Sequence, residues 1–403
     1  MKIKDLLEHT VDNRGKTPPT TEKGHILMEI NCITGNQKYP DYSMIKKYVS
    51  NETYETWFRS GHPQKGDVLI PTVGTLNAIG FADRDDCCIA QNMISFRANS
   101  KICYNEYLYY LLCDPTVRKR LLQLDIGAVQ PSIKVPHIKN LEVKVPCIKE
   151  QKKIAQILAD IDNKIATNTA INKNLESQAK AIVKAYFIDF IPYGGTAPQG
   201  WSMVSLNDIC EKITDGSHYS PVDSPEAPYP MYSVKYMRAY GFDPSSCKHI
   251  TAEELQKMKQ NDCVQQLDDI LVAKDGSYLK EIFICSATRN EAILSSIAIF
   301  RPNRNMIEPE ILLYFLKQPS IRKDVGENYV SGSALPRIVL KDFKKYPMLL
   351  PPIYEQHKIS DLLHSYRMQI QSNVDEIDRL QTIRDTLLPR LMSGEIDVGN
   401  VGI

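Results

Sequence analysis

Pro146-Cys147-Ile148-Lys149-Glu150-Gln151-Lys152-Lys153-Ile154 returns later in the chain as Pro351-Pro352-Ile353-Tyr354-Glu355-Gln356-His357-Lys358-Ile359. The second copy stands 205 residues after the first, in a chain of 403. A period that long is too large for a solenoid repeat and fits a tandem duplication of whole domains. Each copy opens a long amphipathic stretch. In the first, Ile154, Leu158, Ile161, Ile165, Asn168, Asn172, Leu175, Ala179, Ile182 and Tyr186 alternate steps of four and three. In the second, the same positions hold Ile359, Leu363, Tyr366, Ile370, Asn373, Ile377, Leu380, Arg384, Leu387 and Leu391. This is the a/d pattern of a coiled coil, and it predicts two helices of about 38 residues, each roughly 57 Å long. Asn168 and Asn373 share a heptad position. An antiparallel pair of helices related by a pseudo-twofold would bring these two asparagines near one another, fixing register at some cost in stability.

The duplication extends outward from the helices. Gly66-Asp67-Val68-Leu69-Ile70 resembles Asp268-Asp269-Ile270-Leu271-Val272, a turn followed by a buried strand. Ile94-Ser95-Phe96-Arg97 matches Ala298-Ile299-Phe300-Arg301, and the stretch from Asn105 to Leu124 matches that from Pro309 to Glu327. Gly127-Ala128-Val129-Gln130-Pro131-Ser132-Ile133 then answers Gly332-Ser333-Ala334-Leu335-Pro336-Arg337-Ile338. Strands mixed with a few helices predict an α/β or α+β fold: two globular domains joined by two long antiparallel coiled-coil helices. The expected divisions are a first domain over 1–145, a first helix over 146–191, and a turn-rich linker over 192–200. A second domain over 201–350, a second helix over 351–393 and a tail over 394–403 follow.

Composition is ordinary for a globular protein, with 43% hydrophobic and 24% charged residues, which argues against disorder or a fibre. No leader-like apolar stretch follows Met1, and nowhere do 18 apolar residues run together, so no membrane association is expected. None of the ten cysteines forms a Cys-x-x-Cys pair, and the eight histidines lack metal-ligand spacing. Reduced thiols, a cytoplasmic location and no bound metal are the expectation. Net charge is only +1. Nucleic-acid affinity rests largely on phosphate neutralisation, so any such binding must use local patches or lean on a partner. Neither a phosphate-cradling Gly-x-x-x-x-Gly-Lys loop nor a Gly-x-Gly-x-x-Gly fingerprint occurs, and His-Glu-x-x-His and Gly-x-Ser-x-Gly are missing too. The triplet Glu142-Val143-Lys144 has the residue types of part of a nuclease site, but the second half does not repeat it. No catalytic residues are assigned.

On these features the chain resembles the specificity subunits of Type I restriction–modification systems. The paired Pro-x-Ile-x-Glu-Gln helix starts carry the resemblance, with the tail Leu387-Leu388-Pro389-Arg390-Leu391-Met392-Ser393-Gly394-Glu395-Ile396-Asp397-Val398. Asp12-Asn13-Arg14-Gly15-Lys16-Thr17-Pro18, Thr214-Asp215-Gly216-Ser217-His218 and the stretch from Leu175-Glu176 to Phe190 add to it. The resemblance implies two target-recognition domains, each reading half of a bipartite, asymmetric site on double-stranded DNA. It implies helices that act as spacer and docking surface for two methyltransferase subunits, with restriction/motor subunits joining them. S-adenosylmethionine, ATP and magnesium would then belong to those partners, and this chain would bind no cofactor.

Base readers are expected among polar and basic residues on glycine-containing loops that follow strands, where backbone can approach DNA. In the first domain these are Arg14, Lys16, Arg59, Thr72, Thr75, Asn77 and Gln130; in the second, Ser217, His218, Lys235, Arg238, Lys274, Ser277 and Arg337. Lys274-Asp275-Gly276-Ser277 and its counterpart Thr72-Val73-Gly74-Thr75 are the leading loops. The helix pair is expected to rest on Ile154, Leu158, Ile165, Asn168, Leu175, Ile359, Leu363, Ile370, Asn373 and Leu380. A free-standing two-domain DNA-binding regulator is the alternative, and tight DNA binding by the isolated chain would mark it.

Overall fold

Two short runs that each carry β-branched or aromatic residues at alternate positions, Val68–Pro71 with Val68 and Ile70 and Met93–Ala98 with Ile94 and Phe96, form the centre of the first sheet, where burial on both faces suits them. The computed structural model describes residues 1–35, 37–74, 76, 78–89, 91–124, 132–332 and 334–399. The chain divides into two compact units, one comprising residues 1–167 and 376–403, the other residues 168–375.

In the first unit an antiparallel sheet runs in the order Leu7–Val11, Met93–Ala98, Val68–Pro71, Gly80–Phe81. A smaller sheet places His25–Met28 between Tyr48–Val49, antiparallel, and Cys87–Ile89, parallel. The second unit repeats both. Its larger sheet runs Cys210–Asp215, Ile297–Pro302, Ile270–Ala273, Ile282–Ile284. Its smaller one sets Tyr229–Tyr232 between antiparallel Lys248–Ile250 and parallel Ala292–Ile293. The duplication therefore holds at the level of strand order, and the modules are α+β. Each buries the same ion pair: Arg97 forks onto Asp67 with two bonds of 3.0 Å, and Arg301 onto Asp269 at 2.8 and 3.0 Å.

The long helices are Ile148–Phe187 and Ile353–Ser393. Gly394, at φ 79°, ends the second by entering the left-handed region that a side chain would resist. The repeated glutamine explains why the motif recurs. Gln151, fully buried, donates to the carbonyls of Ile102 (3.0 Å) and Pro146 (2.9 Å) and accepts from the Tyr104 amide (2.8 Å). Gln356 does the same with Met306 (2.9 Å), Pro351 (3.1 Å) and the Glu308 amide (3.0 Å). Tyr104 and Glu308 are the N-caps of Asn105–Cys113 and Pro309–Leu316, so each glutamine stitches a long helix to the helix it packs on.

Within each unit the long-helix segments run antiparallel. In the first, Lys153 reaches the Val398 carbonyl (3.1 Å) while Asp162 meets Arg384 (3.1 Å). Ile154, Ala155 and Leu158 share a core there with Tyr107, Leu111, Leu388 and Leu391. In the second, Tyr366 bonds Gln178 (2.9 Å), and Ile359 and Leu363 share a core with Ala179, Val183, Ile311 and Phe315. Ile370 is buried, whereas Ile165, Leu175 and Leu380 are half-buried. Buried asparagines of the two helices meet, as the register argument requires. Asn373 donates to Asn172 (2.7 Å), one turn along the first helix from its heptad equivalent Asn168. Asn373 also accepts from Gln369 (2.8 Å), and Asn172 and Asn168 are both 1% exposed. Buried amides from both helices therefore fix the register.

Candidate nucleic-acid interface

The strands of the second unit's larger sheet deliver three segments to one end. Cys210–Asp215 and Ile270–Ala273 both finish there, and antiparallel Ile297–Pro302 begins there. Ser295 and Ser296 precede that last strand and join the loops. The Lys274 amide bonds the Ser296 carbonyl (3.0 Å), the Ser295 amide bonds the Ser217 carbonyl (2.9 Å), and the Val234 amide bonds Ser296 Oγ (3.0 Å). A fourth segment is laced on when the Gly276 amide bonds the Pro336 carbonyl (2.7 Å) and the Ile338 amide bonds the Lys274 carbonyl (3.1 Å). Sequence-distant loops at 215–219, 234–238, 274–277 and 336–338 therefore meet at one sheet edge. That edge is where polar side chains can be presented without disturbing the core.

The expected readers fall into three groups. Ser277, Arg337, His218 and Lys235 are exposed, with Arg337 Nε 3.0 Å from the Asp275 carboxylate and His218 3.4 Å from Asp215. Lys235 lies 4.5 Å from the centre of the Tyr236 ring. Arg238 is exposed but tied to Asp243 (2.6 Å) and to the carbonyls of Lys235 and Met237. Lys274 and Ser217 face inward. Lys274 is 4% exposed with its ammonium 2.7 Å from Asp215, and Ser217 Oγ bonds the Tyr219 carbonyl (2.7 Å). Lys274 therefore holds two loops together, and as placed it presents no donor to solvent.

The first unit builds the same edge from other residues. The Thr72 amide bonds the Asn92 carbonyl (2.8 Å), and the Ile133 amide bonds the Thr72 carbonyl (3.0 Å), as at Lys274. Thr72 is 1% exposed and its hydroxyl is buried without a hydrogen-bond partner among the described residues. Beyond Leu7–Val11, Asn13 reaches across to Ser60 and Gly61 with two bonds of 2.9 Å. This brings Arg14, Lys16 and Arg59 into one loop cluster. Arg14 is held by Asp12 through two bonds (2.7 and 2.8 Å), which keep the Asp12 carboxyl below its ordinary range, while Lys16 and Arg59 are exposed. Thr75, Asn77 and Gln130 lie outside the described residues.

A cleft of about 600 Å³ adjoins the second unit's edge, lined by Ser217, His218, Tyr219, Asn261, Lys341 and Lys344 among others. The two lysines were not among the expected readers. Their signal was present as the basic run Lys341-Asp342-Phe343-Lys344-Lys345, in the short helix Leu340–Phe343 and just after it. Among the described residues no cluster of three potential metal ligands exists, and no helix is long and apolar enough to cross a membrane. Eight of the ten cysteines are buried and all are free. Burial pushes the thiols of Cys87, Cys103 and Cys210 up to about 12, which suits packing and not nucleophilic work.

A family model, the Type I restriction modification DNA specificity domain, matches residues 1–177 and again 198–382. The chain therefore belongs to the Type I restriction–modification DNA-specificity family, a family of targeting subunits and not of catalysts. It is 27% identical to the Type I restriction enzyme MjaIX specificity subunit of Methanocaldococcus jannaschii, over 98% of this chain and 93% of that one. To the HindI specificity subunit of Haemophilus influenzae it is 24% identical, over 83% and 87%. The crystal structure of a Type I restriction–modification S subunit from M. genitalium matches with a TM-score of 0.54 at 16% identity, covering 97% of this chain and 95% of that one. The tandem of two mixed helix–strand modules with long helices is the family's fold.

Proposed function

We propose that the chain supplies DNA sequence specificity to a Type I restriction–modification complex in the cytoplasm, each module reading one half of a bipartite, asymmetric duplex target. The observation that carries this reading is the repeated sheet edge: one lacing pattern in both units, filled with different exposed residues. Lys16 and Arg59, with Arg14, serve the first half-site; His218, Ser277, Arg337 and Lys235 serve the second. Lys341 and Lys344 contact phosphate. Different readers on one scaffold give unlike half-sites, so the target is not a palindrome.

The long helices set the distance between half-sites, which must match the helical repeat of DNA. They also carry the docking surface for two methyltransferase subunits, to which restriction/motor subunits add. Exposed apolar side chains at Tyr354, Leu362 and Met368 support that role. S-adenosylmethionine, ATP and magnesium then act on those partners.

The test replaces residues 1–145 with the corresponding domain of a relative, in a chain co-expressed with its modification subunits, and sequences the modified adenines. One half of the methylated motif is expected to change while the other half and the spacing persist. A motif changed in both halves, or in neither, overturns the modular reading.

A further inference from the structure

Matched positions in the two modules carry unmatched charges where each globular part sits on its long helices. Arg367 stands 205 residues after Asp162, so the two are equivalents. In the second unit Arg367, 8% exposed, donates to Asp268 (2.8 Å), Glu310 (2.9 Å) and the Cys285 carbonyl (3.0 Å). Glu310 also meets His364 at 3.1 Å. In the first unit Asp162 instead accepts from the Tyr110 hydroxyl (2.7 Å) and from Arg384 (3.1 Å). Glu106, the equivalent of Glu310, is neutralised inside its own module by Lys38, which is buried among the rings of Tyr39, Phe81, Tyr109 and Tyr110.

A second contact repeats the contrast. Glu176 accepts from Lys317 and the Tyr240 hydroxyl, both at 2.8 Å, and from Lys180 at 2.9 Å. In the first module the equivalents of Glu176 and Lys317 are Gln381 and Cys113, neither carrying charge. Backbone geometry points the same way. Gly66 and Asp268 are equivalents with φ of 95° and 65°. Glycine adopts that region freely, whereas a side chain resists it. The second module keeps a carboxylate at this position against the backbone's preference, and that carboxylate meets Arg367.

We propose that Arg367 and Glu176, against Asp162 and Gln381, are positioning residues that form a seating code: each recognition module fits its own stretch of the helix pair and is rejected by the other. The rejection follows from burial. A second-type module on the first seat would bring Glu310, 2% exposed, opposite Asp162, with Ala159 in place of His364 and with Arg384 already engaged by Asp162 and Asp385. Lys317 would face Gln381. A first-type module on the second seat would leave Arg367 facing Gly66 and a glutamate already paired, and Glu176 facing Cys113 with Lys180 of its own helix as its remaining cation. Uncompensated buried charge costs more than almost any other single defect.

The test uses the full chain with residues 1–145 replaced by a second copy of 201–350, made with native helices and again with Ala159→His, Asp162→Arg, Gln381→Glu and Arg384→Ala, the last because Arg384 meets residue 162 and its equivalent in the second seat is Ala179. The recoded chain is expected to melt about 10 °C above the unrecoded one. Equal melting temperatures overturn the proposal. A parallel measurement in the native chain covers the case in which neither chimera folds. Arg367→Glu is expected to lower the melting temperature, and adding Glu310→Arg to recover at least half the loss. No recovery overturns the proposal, because a merely bulky or apolar role for Arg367 would not respond to charge exchange.

Discussion

The two modules share the devices that build their sheets and stitch them to the long helices, and they differ in the residues that line the loop ends and charge the seats. Strand order, the Asp–Arg fork and the stitching glutamine are common to both. The exposed loop residues and the seat residues are not. The contrast separates scaffold from instrument without recourse to relatives: the chain carries its own internal comparison.

The largest expected effect falls on the shared fork. Arg97→Met leaves Asp67, 2% exposed, without its cation, and a loss of about 3–5 kcal/mol of stability follows from stranding a buried charge. Arg301→Met is expected to cost more, because Arg301 also holds Asp262 at 3.2 Å, which then keeps Lys212 as its remaining cation. Denaturant titration of both variants checks the ranking. A smaller loss at Arg301 than at Arg97 would break the claim that the second fork is the more heavily charged version of one device.

Next come the glutamines. Gln151→Ala and Gln356→Ala each strand two carbonyls and one amide, for an expected cost of about 2–4 kcal/mol. The two should agree within about 1 kcal/mol, since their bonds match to within 0.2 Å. A large difference would show that the seats differ in backbone geometry as well as in charge.

How much of this was legible in the sequence depends on the distance over which each residue acts. The long helices were readable because heptad spacing is local, and the duplication because it is a comparison of the chain with itself. The repeated Glu-Gln is visible as a helix start, but its purpose is not, because two of the three groups each glutamine binds lie 47 to 50 residues away. Lys274 read as a surface reader because it follows a strand and precedes a glycine. It is buried by Asp215, 59 residues earlier, which local pattern cannot announce. Heptad position places Asn168 and Asn373 near one another, but that the amide of Asn373 reaches Asn172, one turn on, is a tertiary property of the antiparallel register. Lys341 and Lys344 stand in and just after a short helix, outside any glycine loop, so the pattern that marks the other readers does not reach them.

The smallest effect expected is one of pH, and it separates the seats most cleanly. Burial alone would push the Glu176 carboxyl up from its ordinary 4.5; the ammonium groups of Lys317 and Lys180 overcome this and hold it at about 2. A carboxyl whose pKa is depressed on folding contributes stability that is complete above the unfolded value and is lost as pH falls toward the folded one. The contribution should therefore be full above about pH 5 and fade between pH 4.5 and 2. Its size, discounted for partial exposure, is about 2 kcal/mol. Gln381 cannot titrate, so the first seat has no counterpart to this loss. Glu176→Gln should accordingly be less stable than the native chain at pH 7, with the gap closing as pH drops to about 3. Hydrogen exchange at acid pH should find the second unit, carrying Lys317 and Tyr240, opening before the first. A gap between native and variant that stays constant from pH 7 to 3 would mean that the Glu176–Lys317 contact holds by shape alone, and the charge contrast between the seats would lose its second leg.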